Sequence, residues 1–171
     1  MNRLARLSDS QRWWVAGAVG TLLLVAVSVA AFWPSPGRRP GARQYIAFTA
    51  CLLTDAQGVA GPGAAPVWAG MQDASAQTHA KVEYLSVSGP ATRENAEPFL
   101  ASLVNRHCDV VLAVGPAQVA ALRAVAPASP TVGFVVIGDD MAGPNVVRID
   151  ASSPDKVRTA VRDAVVSAVH R

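Results

Sequence analysis

The chain has 171 residues, 51% of them hydrophobic, and a formal net charge of +3 that is unevenly distributed. Residues 1–43 hold six arginines and one aspartate, whereas residues 44–171 hold nine basic and eleven acidic side chains, for a net charge of −2. Nucleic-acid binding needs a basic patch on the folded domain itself, so this distribution argues against a nucleic-acid partner. The length is sufficient for one domain with a sizeable core.

Residues 13–33 form an uncharged apolar segment with tryptophans at both ends. A helix needs about 20 apolar residues to cross the hydrocarbon core of a bilayer, and tryptophan is enriched at the membrane interfaces. We therefore predict a transmembrane signal-anchor helix at 13–33, with the lipid bilayer as its partner, after a short basic segment at 1–12.

Arginines flank this segment on both sides, so the arginine bias alone does not orient it. A short N-terminus before a long C-terminal domain resembles a signal-anchor, which predicts a single-pass membrane protein with an extracytoplasmic domain. The alternative is secretion after signal cleavage, for example after Ala30. The apolar region of a signal peptide usually spans about 7–15 residues, which favours retention of the longer segment.

Strand-like and helix-like segments alternate after a Pro/Gly/Arg-rich linker at 34–43, and residues 44–171 form the predicted domain. The predicted strands lie at 45–55, 81–87, 109–115, 131–140 and 145–150, and the first, third and fourth of them are largely apolar runs. The predicted helices begin at Pro66, Glu94, Pro116 and Pro154, the last of them capped by Ser153. This alternation predicts an α/β three-layer sandwich with a five-stranded parallel sheet of order 2-1-3-4-5.

Ligands of open parallel sheets bind beyond the carboxyl ends of the strands, near the point where the strand order reverses. Thr54 and Asp55 close the first predicted strand, Gly115 follows the third and Asp139 follows the fourth. We take these four residues as candidate ligand-binding residues, with Asp55 first because it follows a long apolar run. The alternative for Asp55 is an ordinary turn cap. The small-residue loop at 57–63 matches neither glycine-rich phosphate-binding pattern.

Catalytic and metal-binding motifs are missing from the sequence. The three histidines, His79, His107 and His170, stand apart, and no G-x-S-x-G, H-E-x-x-H or C-x-x-C pattern occurs. His107 and Cys108 are adjacent, but a metal site needs further ligands at suitable spacing. We therefore expect no enzymatic activity, no cofactor and no metal site.

The chain has two cysteines, Cys51 and Cys108, and a cysteine pair outside the cytoplasm suggests a disulfide. If the first and third strands are neighbours with aligned ends, the two residues are offset by about four positions, or about 13 Å. A disulfide needs Cα atoms within about 7 Å. This argument predicts two buried free thiols.

The order of several segments resembles the basic membrane protein (BMP) family, the substrate-binding lipoproteins of ABC-type importers with a type 1 periplasmic-binding-protein fold. The matching segments are LTD at 53–55, VWAGM at 67–71, CDVVLAVG at 108–115, FVVIGD at 134–139 and NVVRID at 145–150. The resemblance covers about residues 45–165 and corresponds to one lobe of a two-lobed clamshell.

That resemblance implies binding of a small molecule, notably a purine nucleoside. Asp55 matches the family's ligand-contacting aspartate after the first strand, and Asp139 is the nearer match to an acid after the fourth. Trp68, in the second matching segment, joins them as a ligand-binding candidate. The family's Ser-Phe-Asn before the first helix is replaced here by residues 62–65, PGAA. A single lobe buries a ligand from one side only, which implies weak binding.

The main hypothesis is thus a membrane-anchored solute-binding module whose partners are a small polar ligand and ABC transporter subunits or a second lobe-containing subunit. The alternative is a degenerate lobe that acts as a protein-interaction module at the membrane. A receiver-like regulatory domain with the same strand order would need a phosphorylatable aspartate after the third strand, where Gly115 and Pro116 stand.

Overall fold

The computed structural model describes residues 44–171. In chain order the elements are β1 (Thr49–Thr54), α1 (Ala64–Thr78), β2 (Lys81–Ser86), α2 (Arg93–Asn105), β3 (Val110–Ala113), α3 (Pro116–Val125), β4 (Gly133–Ile137), β5 (Val146–Ile149) and α4 (Pro154–Val169). The predicted segments at 1–12, 13–33 and 34–43 lie outside the described residues. Between residues 44 and 171, no helix combines the length and the apolarity needed to cross a membrane.

The five strands form one parallel sheet in the order β2-β1-β3-β4-β5, which confirms the predicted α/β class and strand order. In the register, Ala50 of β1 lies opposite Val110 of β3, which in turn lies opposite Gly133 of β4. The central strands are covered on both faces, so both sets of alternating side chains are apolar. This double burial is why the sequence shows continuous apolar runs instead of alternation.

Two helices cover each face of the sheet, which confirms the three-layer sandwich. Helices α1 and α4 pack over one face, whose core includes Leu52 and Leu112. Helices α2 and α3 pack over the other, whose core includes Leu53 and Phe134. The two faces therefore carry separate apolar cores, and the sheet divides them.

The connection from β4 to β5, residues 138–145, contains no helix. Parallel crossovers usually need a dozen or more residues, so this one is short. Asn145 ends it, and its Nδ2 donates to the carbonyl oxygens of Ser129 and Val132, each at 3.0 Å. One side chain thus ties the start of β5 to the loop before β4.

Helix α1 begins at Ala64, two residues before the predicted start at Pro66. The first turn of a helix leaves its N–H groups without intrahelical partners, so a proline there removes no hydrogen bond. The N–H groups of Ala64 and Ala65 donate instead to the carbonyl of Gly61, which winds the preceding loop into the helix. The prediction was therefore wrong by two residues at this helix start.

Cys51 and Cys108 form a disulfide with their Cα atoms 6.0 Å apart, so the prediction of two free thiols is wrong. That prediction placed Cys108 on the line of β3, but β3 begins at Val110. Cys108 lies in the turn from α2, where its N–H donates to the Leu103 carbonyl. Both cysteines belong to the core beneath α2 and α3. Their separation is therefore set by the approach of this turn to the sheet face, not by the rise along a strand.

Candidate functional site

The strand order reverses between β1 and β3. After β1 the chain forms β2 on one side of β1, and it then crosses to the other side of β1 to form β3, β4 and β5. Thr54, Asp55, Gly115 and Gln118 lie at or just beyond the carboxyl ends of these two strands. We call this group of residues the β1/β3 cleft, after the place where ligands of open parallel sheets bind. Three of the five residues predicted as ligand-binding are thus brought together here. Their position agrees with the general location of ligands in open parallel sheets.

Thr54 is fully buried, and its backbone carbonyl joins three elements. It accepts hydrogen bonds from the N–H of Val87, at 2.9 Å, and from Nε2 of Gln118, at 3.3 Å. The Thr54 hydroxyl donates to the carbonyl of Asp55 at 3.1 Å. The end of β1 is therefore held rigidly by the segment after β2 and by α3.

Asp55 is the exposed residue that directly follows β1. Its Oδ1 accepts a hydrogen bond of 2.9 Å from the Gln57 N–H, and its backbone carbonyl accepts one of 3.0 Å from the Gly58 N–H. Asp55 thus makes the turn cap that the sequence allowed as the alternative. A carboxylate has two oxygens, so a capping role is compatible with a ligand contact.

Gln118 belongs to the cleft and was missed by the sequence analysis. It is 3% exposed, and its side chain reaches from α3 to β1. Gly115 precedes this helix with φ +104°, and a Cβ there would lie 2.6 Å from Oε1 of Gln118. The available signal was a lone uncharged polar residue in the apolar helix PAQVAALRAV, shortly after a Gly-Pro pair.

Asp139 lies apart from the β1/β3 cleft, in an open groove of about 580 Å³ at the ends of β4 and β5. We call this groove the β4/β5 groove; it is lined by Gly138, Asp139, Asp140 and residues 148–152. Oδ1 of Asp139 accepts a hydrogen bond of 2.6 Å from the guanidinium of Arg123 and one of 2.8 Å from the Met141 N–H. Its carboxylate therefore holds the β4–β5 connection against α3.

Trp68 lies in neither of these places. It is half-buried in α1, and its ring meets that of Tyr84 on β2 edge-on, with ring centroids 5.4 Å apart. The pair covers the outer edge of the sheet beneath α1. A ligand contact by Trp68 remains a prediction, and the geometry gives the side chain a packing role.

A second pocket, of about 370 Å³, opens at the opposite, amino-terminal edge of the sheet. Its lining includes Phe48, Asp109, Val147 and Arg171. Oδ2 of Asp109 already accepts a hydrogen bond of 2.7 Å from the Thr49 N–H. We favour the carboxyl edge as the candidate site, because loops with convergent polar groups gather there at a strand-order reversal.

The fold is similar to that of two solved proteins. A structure described as a lipoprotein fragment from Peptoclostridium difficile 630 gives a TM-score of 0.59 at 16% identity, over 71% of this chain and 98% of that one. An ABC transporter system solute-binding protein from Conexibacter woesei DSM 14684 gives a TM-score of 0.52 at 24% identity, over 61% of this chain and 35% of that one. No family model matches the chain, and no curated protein matches it.

At these identities the likeness concerns the fold alone, which the described residues share with the lipoprotein fragment and with part of the solute-binding protein. The chain spans 35% of the length of the solute-binding protein that it matches. The most specific geometric feature of the described residues remains the hydrogen bond of Gln118 to the Thr54 carbonyl in the β1/β3 cleft.

Proposed function

We propose that this chain is a membrane-anchored solute-binding module, related to one lobe of the BMP-type binding proteins of ABC importers. The observation that carries the proposal is the grouping of Thr54, Asp55, Gly115 and Gln118 at the strand-order reversal of a periplasmic-binding-protein-like sheet. Polar groups that converge at a strand-order reversal, one of them an exposed carboxylate, suit recognition of a small polar molecule.

The ligand class that we propose is nucleoside-like. An exposed carboxylate such as that of Asp55 accepts hydrogen bonds from vicinal hydroxyl groups, which a ribose provides. The cleft lies on one lobe and leaves the opposite side of a ligand in water, so we expect weak binding by the chain alone. A second lobe-containing subunit or an ABC transporter subunit is the proposed partner that would cover the ligand.

The role that we propose is binding and not catalysis, with the domain on the outer side of the cell membrane. Disulfides form and persist in oxidising compartments, so the bond between Cys51 and Cys108 supports export of the domain. The apolar segment at 13–33 would hold the domain at the bilayer. Secretion after signal cleavage is the alternative location.

Thermal unfolding of the full-length chain with adenosine or guanosine tests this proposal. A ligand present at 100 times its dissociation constant should add about 2.7 kcal/mol to the free energy of unfolding and raise the melting temperature by several degrees. Asp55→Ala should abolish this shift. Asp163→Ala, which alters an exposed aspartate on α4, is the matched control and should leave the shift unchanged.

The melting temperature of Asp55→Ala without ligand separates loss of the turn cap from loss of binding. A variant that melts like the parent chain but gives no shift supports a ligand contact. Flat melting curves for the parent chain up to millimolar nucleoside would contradict the proposed ligand class.

The second candidate function is a protein-interaction lobe that has lost solute binding. Asp139, the other acid expected to face a ligand, is instead held by Arg123 at 2.6 Å, and its groove is open to solvent. This candidate predicts that nucleosides do not shift the melting temperature. It also predicts that the chain can be cross-linked to a membrane protein, and that Asp140→Arg, which alters the β4/β5 groove, abolishes the cross-link. Retention of the cross-link in that variant would argue against it.

A further inference from the structure

The carboxylate of Glu83 lies against the disulfide. Glu83 is opposite Cys51 in the parallel pairing of β2 and β1, and its Oε1 lies 3.4 Å from Sγ of Cys51 and 3.9 Å from Sγ of Cys108. Disulfide sulfurs carry no hydrogen and cannot donate to a carboxylate. The oxidised pair therefore gives Glu83 no hydrogen bond, and the partner of its carboxylate is Arg106, at 3.0 Å.

The Glu83 carboxylate lies at a metal-ligand distance from both sulfurs, whereas the sulfurs are held together by the disulfide bond. The three ligand atoms, one from each side chain, all lie within 4.8 Å of one another. A tetrahedral Zn²⁺ ion, with Zn–S bonds of about 2.3 Å and Zn–O bonds of about 2.0 Å, would separate sulfur from oxygen by about 3.5 Å. The two observed sulfur–oxygen distances, 3.4 and 3.9 Å, lie on either side of that value. Only the two sulfurs must move apart, to about 3.8 Å, once their bond is broken.

We propose that the reduced chain binds one thiophilic divalent cation, Zn²⁺ or its analogue Cd²⁺, through Cys51, Cys108 and Glu83, with water as the fourth ligand. A dithiol reductant supplies two electrons and two protons to the disulfide and is itself oxidised to a disulfide. The two thiols then lose their protons to solvent as the cation binds, because thiolates are the ligands. The disulfide and the metal-bound form exclude each other.

Access to this site is through Glu83. The two cysteines are 0% and 2% exposed, whereas the Glu83 side chain is 36% exposed. A cation entering there meets the carboxylate first, and Arg106 must turn away because two positive charges would otherwise lie close together. The side chain of Arg106 is 52% exposed at the end of α2 and has room to do so. Cation binding therefore competes with the Glu83–Arg106 ion pair.

The ligands of this site come from three separate parts of the fold. Cys51 lies on β1, Glu83 on β2 and Cys108 in the turn before β3. Known metal-binding patterns rely on ligands at short sequence spacings, so the sequence offered no sign of the site. The expectation of no metal site was based on those spacings alone.

Zinc titration of the full-length chain tests the proposal. The chain is reduced with a dithiol, separated from the reductant without oxygen and titrated with Zn²⁺ against a chromophoric chelator. We expect one equivalent to bind per reduced chain and none per oxidised chain. With Cd²⁺, the sulfur-to-metal charge-transfer absorption should appear only in the reduced chain and should be lost in Cys108→Ser.

Variants of Glu83 and its neighbours test whether the carboxylate is a ligand or whether the two thiols bind Zn²⁺ without it. Glu83→Gln should weaken Zn²⁺ binding by more than about tenfold, since loss of even an indirect contact to a metal ligand costs this much. Arg106→Gln keeps all three ligands and removes the competing cation, so it should bind Zn²⁺ more tightly. Glu97→Gln, which alters a glutamate paired with Arg93 on α2, is the matched control and should bind like the parent chain.

Circular dichroism shows whether the reduced chain is still folded. If reduction unfolds the chain, Zn²⁺ must refold it. If the reduced chain stays folded, Zn²⁺ must raise its melting temperature. The proposal is overturned by a reduced chain that takes up no Zn²⁺, by uptake that brings neither refolding nor stabilisation, or by equal affinity in Glu83→Gln. Weaker binding in Arg106→Gln would also overturn it.

Discussion

Gly115 has a backbone conformation, φ +104° and ψ 150°, that is essentially restricted to glycine. It ends the segment after β3 and allows the chain to turn sharply into α3. The same turn brings Gln118 against β1, where its amide donates to the Thr54 carbonyl. One backbone conformation therefore places Gln118 against Thr54 in the β1/β3 cleft.

Gly115→Ala should lower the free energy of unfolding by about 1–3 kcal/mol, because alanine is strained at this φ. Its Cβ would also lie 2.6 Å from Oε1 of Gln118 and push that side chain away. Urea denaturation of both chains measures the effect. Gly63→Ala is the matched control, since Gly63 has φ −76° and a Cβ there would meet nothing closer than 3.5 Å.

The control should change stability by less than about 1 kcal/mol. Equal stability of Gly115→Ala and the parent chain would show that the turn is not constrained as described.

At the scale of elements, helices α1 and α4 cover one face of the sheet, and their backbones pack close together. A Cβ at Gly70 of α1 would collide with the carbonyl oxygen of Arg158 on α4, so only glycine fits there. Near this contact, Arg158 donates two hydrogen bonds to the Asp73 carboxylate, at 2.6 and 2.8 Å. These hydrogen bonds lower the pKa of Asp73 below its ordinary value. The two helices thus combine close backbone packing with an ion pair at the rim.

Arg158→Gln should reduce stability at neutral pH, and the deficit should shrink in acid. Folding lowers the pKa of Asp73, so the ionised carboxylate stabilises the folded parent chain above the unfolded-state pKa of about 3.9. That contribution is lost as the pH falls through the lower, folded-state pKa. Denaturation of both chains from pH 7 down to about pH 2 measures the difference in the free energy of unfolding.

Arg148→Gln, which alters an exposed arginine on β5, serves as the control for loss of one positive charge. A deficit for Arg158→Gln that stays constant across this pH range would mean that Asp73 does not mediate it.

At the scale of the whole molecule, the compartment in which the domain lies decides whether Cys51 and Cys108 are oxidised or reduced. The disulfide closes a loop between residues 57 positions apart and, by loop entropy alone, should stabilise the fold by about 4 kcal/mol. Outside the cytoplasm it would form and persist, and inside the cytoplasm the thiols would stay reduced. In the proposed location outside the cytoplasm the two cysteines therefore stay oxidised, and the metal-bound form requires reduction of their disulfide.

A C-terminal alkaline phosphatase fusion tests the location, because this enzyme becomes active only after export. We expect an active fusion with the full chain and loss of activity when residues 13–33 are deleted. A fluorescent protein that matures only in the cytoplasm, fused at the same position, is the reciprocal control and should stay dark. A bright fluorescent fusion with an inactive phosphatase fusion would place the domain in the cytoplasm.

The sequence by itself determined the α/β class, the strand order and the approximate element positions. Continuous apolar runs separated by capped, amphipathic segments admit few other arrangements, since the central strands must be buried on both faces. The same reasoning placed Thr54, Asp55 and Gly115 at one edge of the sheet. Whether any of them contacts a ligand stays a prediction.

Only the tertiary structure decided the remaining features. The Cys51–Cys108 bond depends on how a turn approaches the sheet face, and the contact of Gln118 with Thr54 joins residues that are far apart in the chain. Asp139 pairs with Arg123 for the same reason, and Trp68 packs on Tyr84. Local patterns report burial and periodicity, whereas contacts between distant segments are set by the packing of layers, which no short stretch of sequence encodes.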